Sequence, residues 1–166
     1  MILRPAAPAD VAAAAGVAAR SYRAAFAGIL DAAALDVRTA GFFAERFEAA
    51  LKLLVVAERE GVLVGFSLMA NRHIDMLFVD PASQGAGVGR RLLAEAEARG
   101  AYSLECFRAN FAARRFYEGQ GWQLAQAYSR AFAGAEHEFV WYEKRTGGSR
   151  GRAEAEGDRR RPGGRA

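Results

Sequence analysis

Residues 77–100 read LFVDPASQGAGVGRRLLAEAEARG, and the reading of this stretch decides the fold. An apolar strand over 73–79 (HIDMLFV) is stopped by Asp80-Pro81 and followed by the glycine-rich run QGAGVG at 84–89. A helix is predicted over 90–99, with Val88, Leu92, Leu93 and Ala96 as its apolar face and Gly100 placed to end it. A glycine loop between a strand and a helix suits an anion. Backbone N–H groups converge there, and the helix N-terminus adds about half a positive charge. Glycine also lets the backbone approach a phosphate with no Cβ in the way. A P-loop is excluded because no Lys-Ser or Lys-Thr pair is present. A dinucleotide fingerprint fails too: counted from Gly85, Arg90 stands where the third Gly or Ala belongs, and the acidic ribose partner is missing at the required distance. The plain alternative is a glycine-rich turn. What remains is Q-x-x-G-x-G, carried by Gln84, Gly87 and Gly89.

Outward from the loop, the pattern is regular. Before it, a short extended segment at residues 1–4 precedes Pro8 and Asp10, which suit the first turn of a helix. Val11, Ala15, Ala18, Ala19, Tyr22 and Phe26 recur at helical spacing up to Gly28. A second helical stretch carries Leu35, Phe42, Phe43, Phe47 and Leu51. Residues 53–58 and 62–70 read as a hairpin about Glu60-Gly61. After the loop come a strand over 102–107, a helix over 110–120 closed by Gly121, and final strands over 122–129 and 138–144. The expected order is βααβββαβαββ: an α+β fold with a mixed, mostly antiparallel sheet of six to seven strands and about four flanking helices.

Composition agrees with one domain. The chain has 166 residues, 52% of them hydrophobic, and a domain near this size buries roughly 68–70% of its unfolded surface. Cys106 is the single cysteine, which excludes an internal disulfide and a cysteine zinc site. No apolar run reaches the roughly 18 residues of a membrane helix, and MILRPAAPAD does not read as a signal peptide, so a cytoplasmic protein is expected. The net charge of +4 divides unevenly: residues 146–166 contribute +3 through six arginines, and the rest only +1. A nearly neutral body offers no footprint for nucleic acid. Residues 1–145 are therefore expected to fold, and 146–166, rich in Arg and Gly, to form a disordered tail.

Gln84, Gly87 and Gly89 after LFVDP resemble the acetyl-CoA pyrophosphate loop of the GCN5-related N-acetyltransferases, written [RQ]-x-x-G-x-[GA]. FRANFAARRFYEGQGW resembles that family's second signature, with Asn110 opening a helix that ends in Tyr117 and then Gly121-Trp122. The element order is similar from residue 1 to about 145. The resemblance implies acetyl-CoA as co-substrate, held by Gln84, Gly85, Ala86, Gly87, Val88, Gly89, Arg90 and Asn110, with pantetheine pairing to the backbone of Leu77, Phe78 and Val79. It implies direct transfer to a primary amine of a small molecule or peptide, with no metal.

Such a transfer needs a donor for the oxyanion, a base for the amine and an acid for the departing thiolate. Tyr117 is the candidate acid; its bland reading is an aromatic packed under the sheet. His73 and Asp75 are the candidate bases, and both share a strand face with Leu77 and Val79 if alternation is unbroken. Cys106 reads as a small core residue, and His137 as part of a solvated turn. The resemblance also implies acceptor contacts from residues 22–30, 42–47 and 128–138. The rival readings are a non-catalytic acyl-CoA sensor of the same fold and an RNA- or membrane-surface module driven by the arginine tail. No specific nucleic acid or membrane partner is expected, and the state is monomer or homodimer.

Overall fold

A computed structural model describes residues 1–145, so the tail expected over 146–166 lies outside the described residues. Among the described residues seven strands are formed: β1 (Ile2–Pro5), β2 (Leu54–Arg59), β3 (Val62–Ala70), β4 (His73–Val79), β5 (Ser103–Phe107), β6 (Trp122–Phe132) and β7 (Ala135–Lys144). The helices are α1 (Val11–Phe26), α2 (Ala32–Asp36), α3 (Ala40–Ala49), α4 (Val88–Ala98) and α5 (Phe111–Gly119). The strands pair in the order β1-β2-β3-β4-β5-β7-β6. Only β4 and β5 run parallel; every other neighbouring pair is antiparallel. This is the expected α+β architecture. Among the described residues, no helix is long and apolar enough to cross a membrane.

Two elements differ from expectation. The second helical stretch is two helices, because Asp31 and Thr39 each start one: their side chains accept from the N–H groups of Ala34 at 2.8 Å and Phe42 at 3.2 Å. The last two strands are longer than read. They meet at Ala133-Gly134, whose φ values of +50° and +82° make the tight, right-twisted hairpin turn. His137 therefore sits on β7 rather than in a turn.

The sheet is covered on both faces. On one, α1, α2 and α3 bury Val17, Tyr22, Leu35, Phe43 and Phe47 against Phe66, Met76 and Phe139. On the other, α4 and α5 bury Leu92, Leu93 and Tyr117 against Val55, Leu104, Trp122 and Tyr142. Each fully buried Leu or Phe contributes roughly 1.5–3 kcal/mol of transfer free energy. The start of α4 lies close on the sheet at Gly65, where a Cβ would stand 2.9 Å from the Phe78 carbonyl oxygen and 3.1 Å from Val88 Cγ1. That close approach fixes where the glycine loop meets the end of β4.

Candidate active site

β4 and β5 pair only at their beginnings, His73 beside Ser103 and Ile74 beside Leu104. Beyond that point β4 runs on to Val79 and β5 to Phe107 without pairing to each other. The parted strands open a cleft of about 780 Å³ in the middle of the sheet, a size typical of small-molecule sites. His73, Asp75, Leu77, Phe78, Asn110 and Tyr117 all line it. Val79 and the loop over 84–90 do not. The Val79 carbonyl is taken by the Ser21 hydroxyl at 2.9 Å, and Asp80 beside it is ion-paired to Arg20, so α1 clamps this end of β4.

The loop abuts the cleft's end instead. Gly89 lies between Val79 and Phe116, the neighbour of Tyr117; a Cβ there would stand 3.6 and 3.5 Å from their side chains. Gly85 and Gly87 both take φ near +79°, with open space where a Cβ would project. Gly87 is the residue before the first turn of α4. Among the described residues no N–H from Gln84 to Arg90 has an acceptor; the first bond is from Arg91 N–H to the Gly87 carbonyl at 3.1 Å. A row of unpaired donors in open space at a helix N-terminus fits a pyrophosphate.

Asn110 caps α5, its Oδ1 accepting from the Ala113 N–H at 3.2 Å, which leaves its amide NH₂ for the cleft. Tyr117 packs near Phe116, Trp122 and Tyr142. Its hydroxyl has no hydrogen-bond partner among the described residues, yet it is not one of the sealed, unpaired polar atoms, so it opens to the cleft that its side chain lines. Burial, with Cys106 nearby, raises its pKa well above the ordinary phenol value. Cys106 packs against the core on the α4–α5 face, as expected, and also lines the cleft half-buried; burial pushes its thiol up to about 12. It is a neutral thiol at pH 7.

The expected shared face of His73, Asp75, Leu77 and Val79 does not exist. Leu68 pairs with Met76 but Met69 with Ile74, so Asp75 is an extra residue in β4 and alternation breaks there. Leu77 and Val79 pack toward α4, while Met76 and Phe78 pack toward α1 and α3. His73 stacks on Trp141, ring centroids 4.8 Å apart. Its Nδ1 hydrogen-bonds Ser103 Oγ at 2.9 Å, and its Nε2 lies 4.0 Å from Asp75 Oδ1. Burial lowers the His73 pKa below that of a free imidazole and raises that of Asp75 above the usual carboxylate range. Both shifts favour the uncharged forms.

On the α1–α3 side of the cleft the expected acceptor ranges take in Arg46 and Arg130 without singling out either charge, and they leave out Glu105. Glu105, in the middle of β5, is ion-paired to Arg130 and accepts from the Tyr128 hydroxyl. The Arg130 guanidinium lies 4.1 Å from the centre of the Phe139 ring. Arg46 of α3 lines the same mouth. A charged residue inside the otherwise apolar strand SLECF was the available signal for Glu105; Arg46 carried none.

Known proteins share this fold. Residues 29–145 match the acetyltransferase (GNAT) domain family. The chain is 40% identical over 73 residues to a blasticidin-S acetyltransferase of Streptomyces morookaense, a match covering 41% of this chain and about half, 54%, of that protein. The fold is similar to a GCN5-related N-acetyltransferase from Rhodopseudomonas palustris, with TM-score 0.68, 29% identity and 86% and 94% of the two chains covered. It also resembles a PaiA N-acetyltransferase of Thermoplasma acidophilum, solved in complex with coenzyme A, with TM-score 0.66 over 87% and 98% of the chains; at 18% identity that likeness is one of fold. The family match spans most of the chain and takes in the loop, the parted strands and the Asn110–Tyr117 helix: the protein belongs to the GCN5-related N-acetyltransferases.

Proposed function

We propose that the chain transfers an acetyl group from acetyl-CoA to a primary amine of a small molecule or peptide, directly, with both substrates bound at once. The parting of β4 and β5 beside an unpaired row of N–H donors is the observation that carries this reading. Acetyl-CoA would supply an activated thioester. The N–H groups over residues 84–90 would hold its pyrophosphate, and the free edge of β4 near Leu77 and Phe78 would hold the pantetheine and the thioester oxygen.

The acceptor would enter from the α1–α3 side, past His73 and Asp75. A neutral His73 can take the ammonium proton, directly or through water. As nitrogen attacks the carbonyl carbon and the C–S bond breaks, the departing sulfur would take the Tyr117 hydroxyl proton, and the proton lost by the new amide nitrogen would return to Tyr117 through water. Burial would make a departing thiolate more basic than in water. Burial raises the phenol as well, so the Tyr117 hydroxyl would serve that sulfur as hydrogen-bond or proton donor. Cys106 itself, protonated at neutral pH, supports direct transfer over an acyl-cysteine route.

The experiment is acetyl-CoA turnover over an amine panel, read as free thiol. Amine-dependent release of CoA is expected. Tight acetyl-CoA binding with no release for any amine would instead make the chain a sensor of acyl-CoA.

A further inference from the structure

Resting on the acetyl-transfer reading, we infer that the acceptor is a compact apolar amine that also carries a carboxylate, and that Arg46 is the residue selecting it. Four charged side chains line the cleft on the acceptor side: Arg46, Asp75, Glu105 and Arg130. Glu105 and Arg130 satisfy each other, with the Tyr128 hydroxyl completing the carboxylate. Asp75 and Arg46 are left. Arg46 feels the field of Asp75 across the opening, yet among the described residues it has no ion pair within 4.0 Å and no side-chain hydrogen bond. A carboxyl on β4, with His73 Nε2 as its ionisable neighbour at 4.0 Å, thus shares the cleft wall with an unpaired guanidinium on α3, the two standing farther apart than a direct ion pair.

That gap is complementary to a zwitterion. The amine end belongs beside Asp75 and His73, where proton removal is needed. The carboxylate end belongs on Arg46, whose planar fork suits a two-point contact. Between the two ends the wall is aromatic. Phe42 precedes Arg46 by one helical turn on α3, and Tyr22, Phe26, Phe107 and Phe132 line the rest. The neighbouring Arg38 guanidinium is already engaged, bonded to the Ala34 carbonyl at 2.8 Å and lying over the Phe132 ring at 5.2 Å. Arg46 is therefore the cation left for the ligand.

The test compares phenylalanine, leucine, β-phenylalanine and 4-aminobutyrate, each beside its carboxamide. Turnover is measured with acetyl-CoA, and binding to the CoA-loaded protein by calorimetry. For at least one pair, the wild type is expected to favour the carboxylate about tenfold or more, in KM and in affinity rather than in kcat. Arg46→Gln should bring that ratio close to one, and Arg46→Lys should keep part of it, with CoA affinity unchanged in both. Equal handling of every pair by the wild type, a ratio untouched by Arg46→Gln, or no calorimetric binding of any carboxylate overturns the inference. Acetyl transfer to other amines would survive those results. Loss of CoA binding, or of turnover with every amine, would instead strike the underlying reading.

Discussion

Tyr117 shows at the scale of one residue how packing and chemistry coexist. Its ring belongs to the aromatic layer with Trp122 and Tyr142, and its side chain also lines the cleft. Tyr117→Phe keeps the ring and removes the donor. The expected result is a fall in kcat of about 10²-fold with little change in KM and an unchanged melting temperature. Equal kcat would reduce Tyr117 to packing. His73 makes a pH prediction. Burial lowers its pKa, and a base works deprotonated, so kcat/KM should hold steady through neutral pH and fall only below the ordinary imidazole value near 6.5. His73→Gln should erase that acidic limb; an identical profile in the variant would move the base elsewhere, to Asp75 first.

At the scale of elements, the junction of loop and α4 separates two glycines that look alike in sequence. Gly87 takes a left-handed φ of +79°, whereas a methyl group at Gly89 would make only ordinary contact, 3.5 Å from Phe116. Left-handed backbone costs a non-glycine residue roughly 1–2 kcal/mol. Gly89→Ala is expected to leave acetyl-CoA affinity within a few-fold of wild type, while Gly87→Ala weakens it more, as measured by calorimetry. Gly65 sets the height of α4 above the sheet. Gly65→Ala would press a methyl against the Phe78 carbonyl, Val88 and Leu92, and overpacking of this kind costs about 1–3 kcal/mol in denaturant unfolding. No loss of stability there would mean that α4 moves away freely.

Over the whole molecule, what was legible depended on how local the signal is. The glycine loop, the Asn110–Tyr117 spacing and the order of elements are encoded in short stretches, and they led to the right architecture and family. The extra residue at Asp75 was not legible, because a bulge arises from the register of β4 against β3 rather than from β4 alone. The Arg46–Asp75 opposition likewise joins α3 to β4, and the Glu105–Arg130 pair joins β5 to β6. Thr39 could have been read as a helix cap, and the split between α2 and α3 with it. Both signatures lie before residue 146, and residues 146–166 carry few of the apolar side chains that offset ordering entropy. A chain ended at Arg145 is therefore expected to keep its melting temperature and its kcat/KM. The central claim is that acetyl-CoA is held by the backbone of the Gln84–Arg90 loop. Calorimetry of acetyl-CoA with wild type and Gly87→Glu tests it most directly. Binding should weaken by well over tenfold in a variant that stays folded, and unchanged affinity in that folded variant would contradict the account.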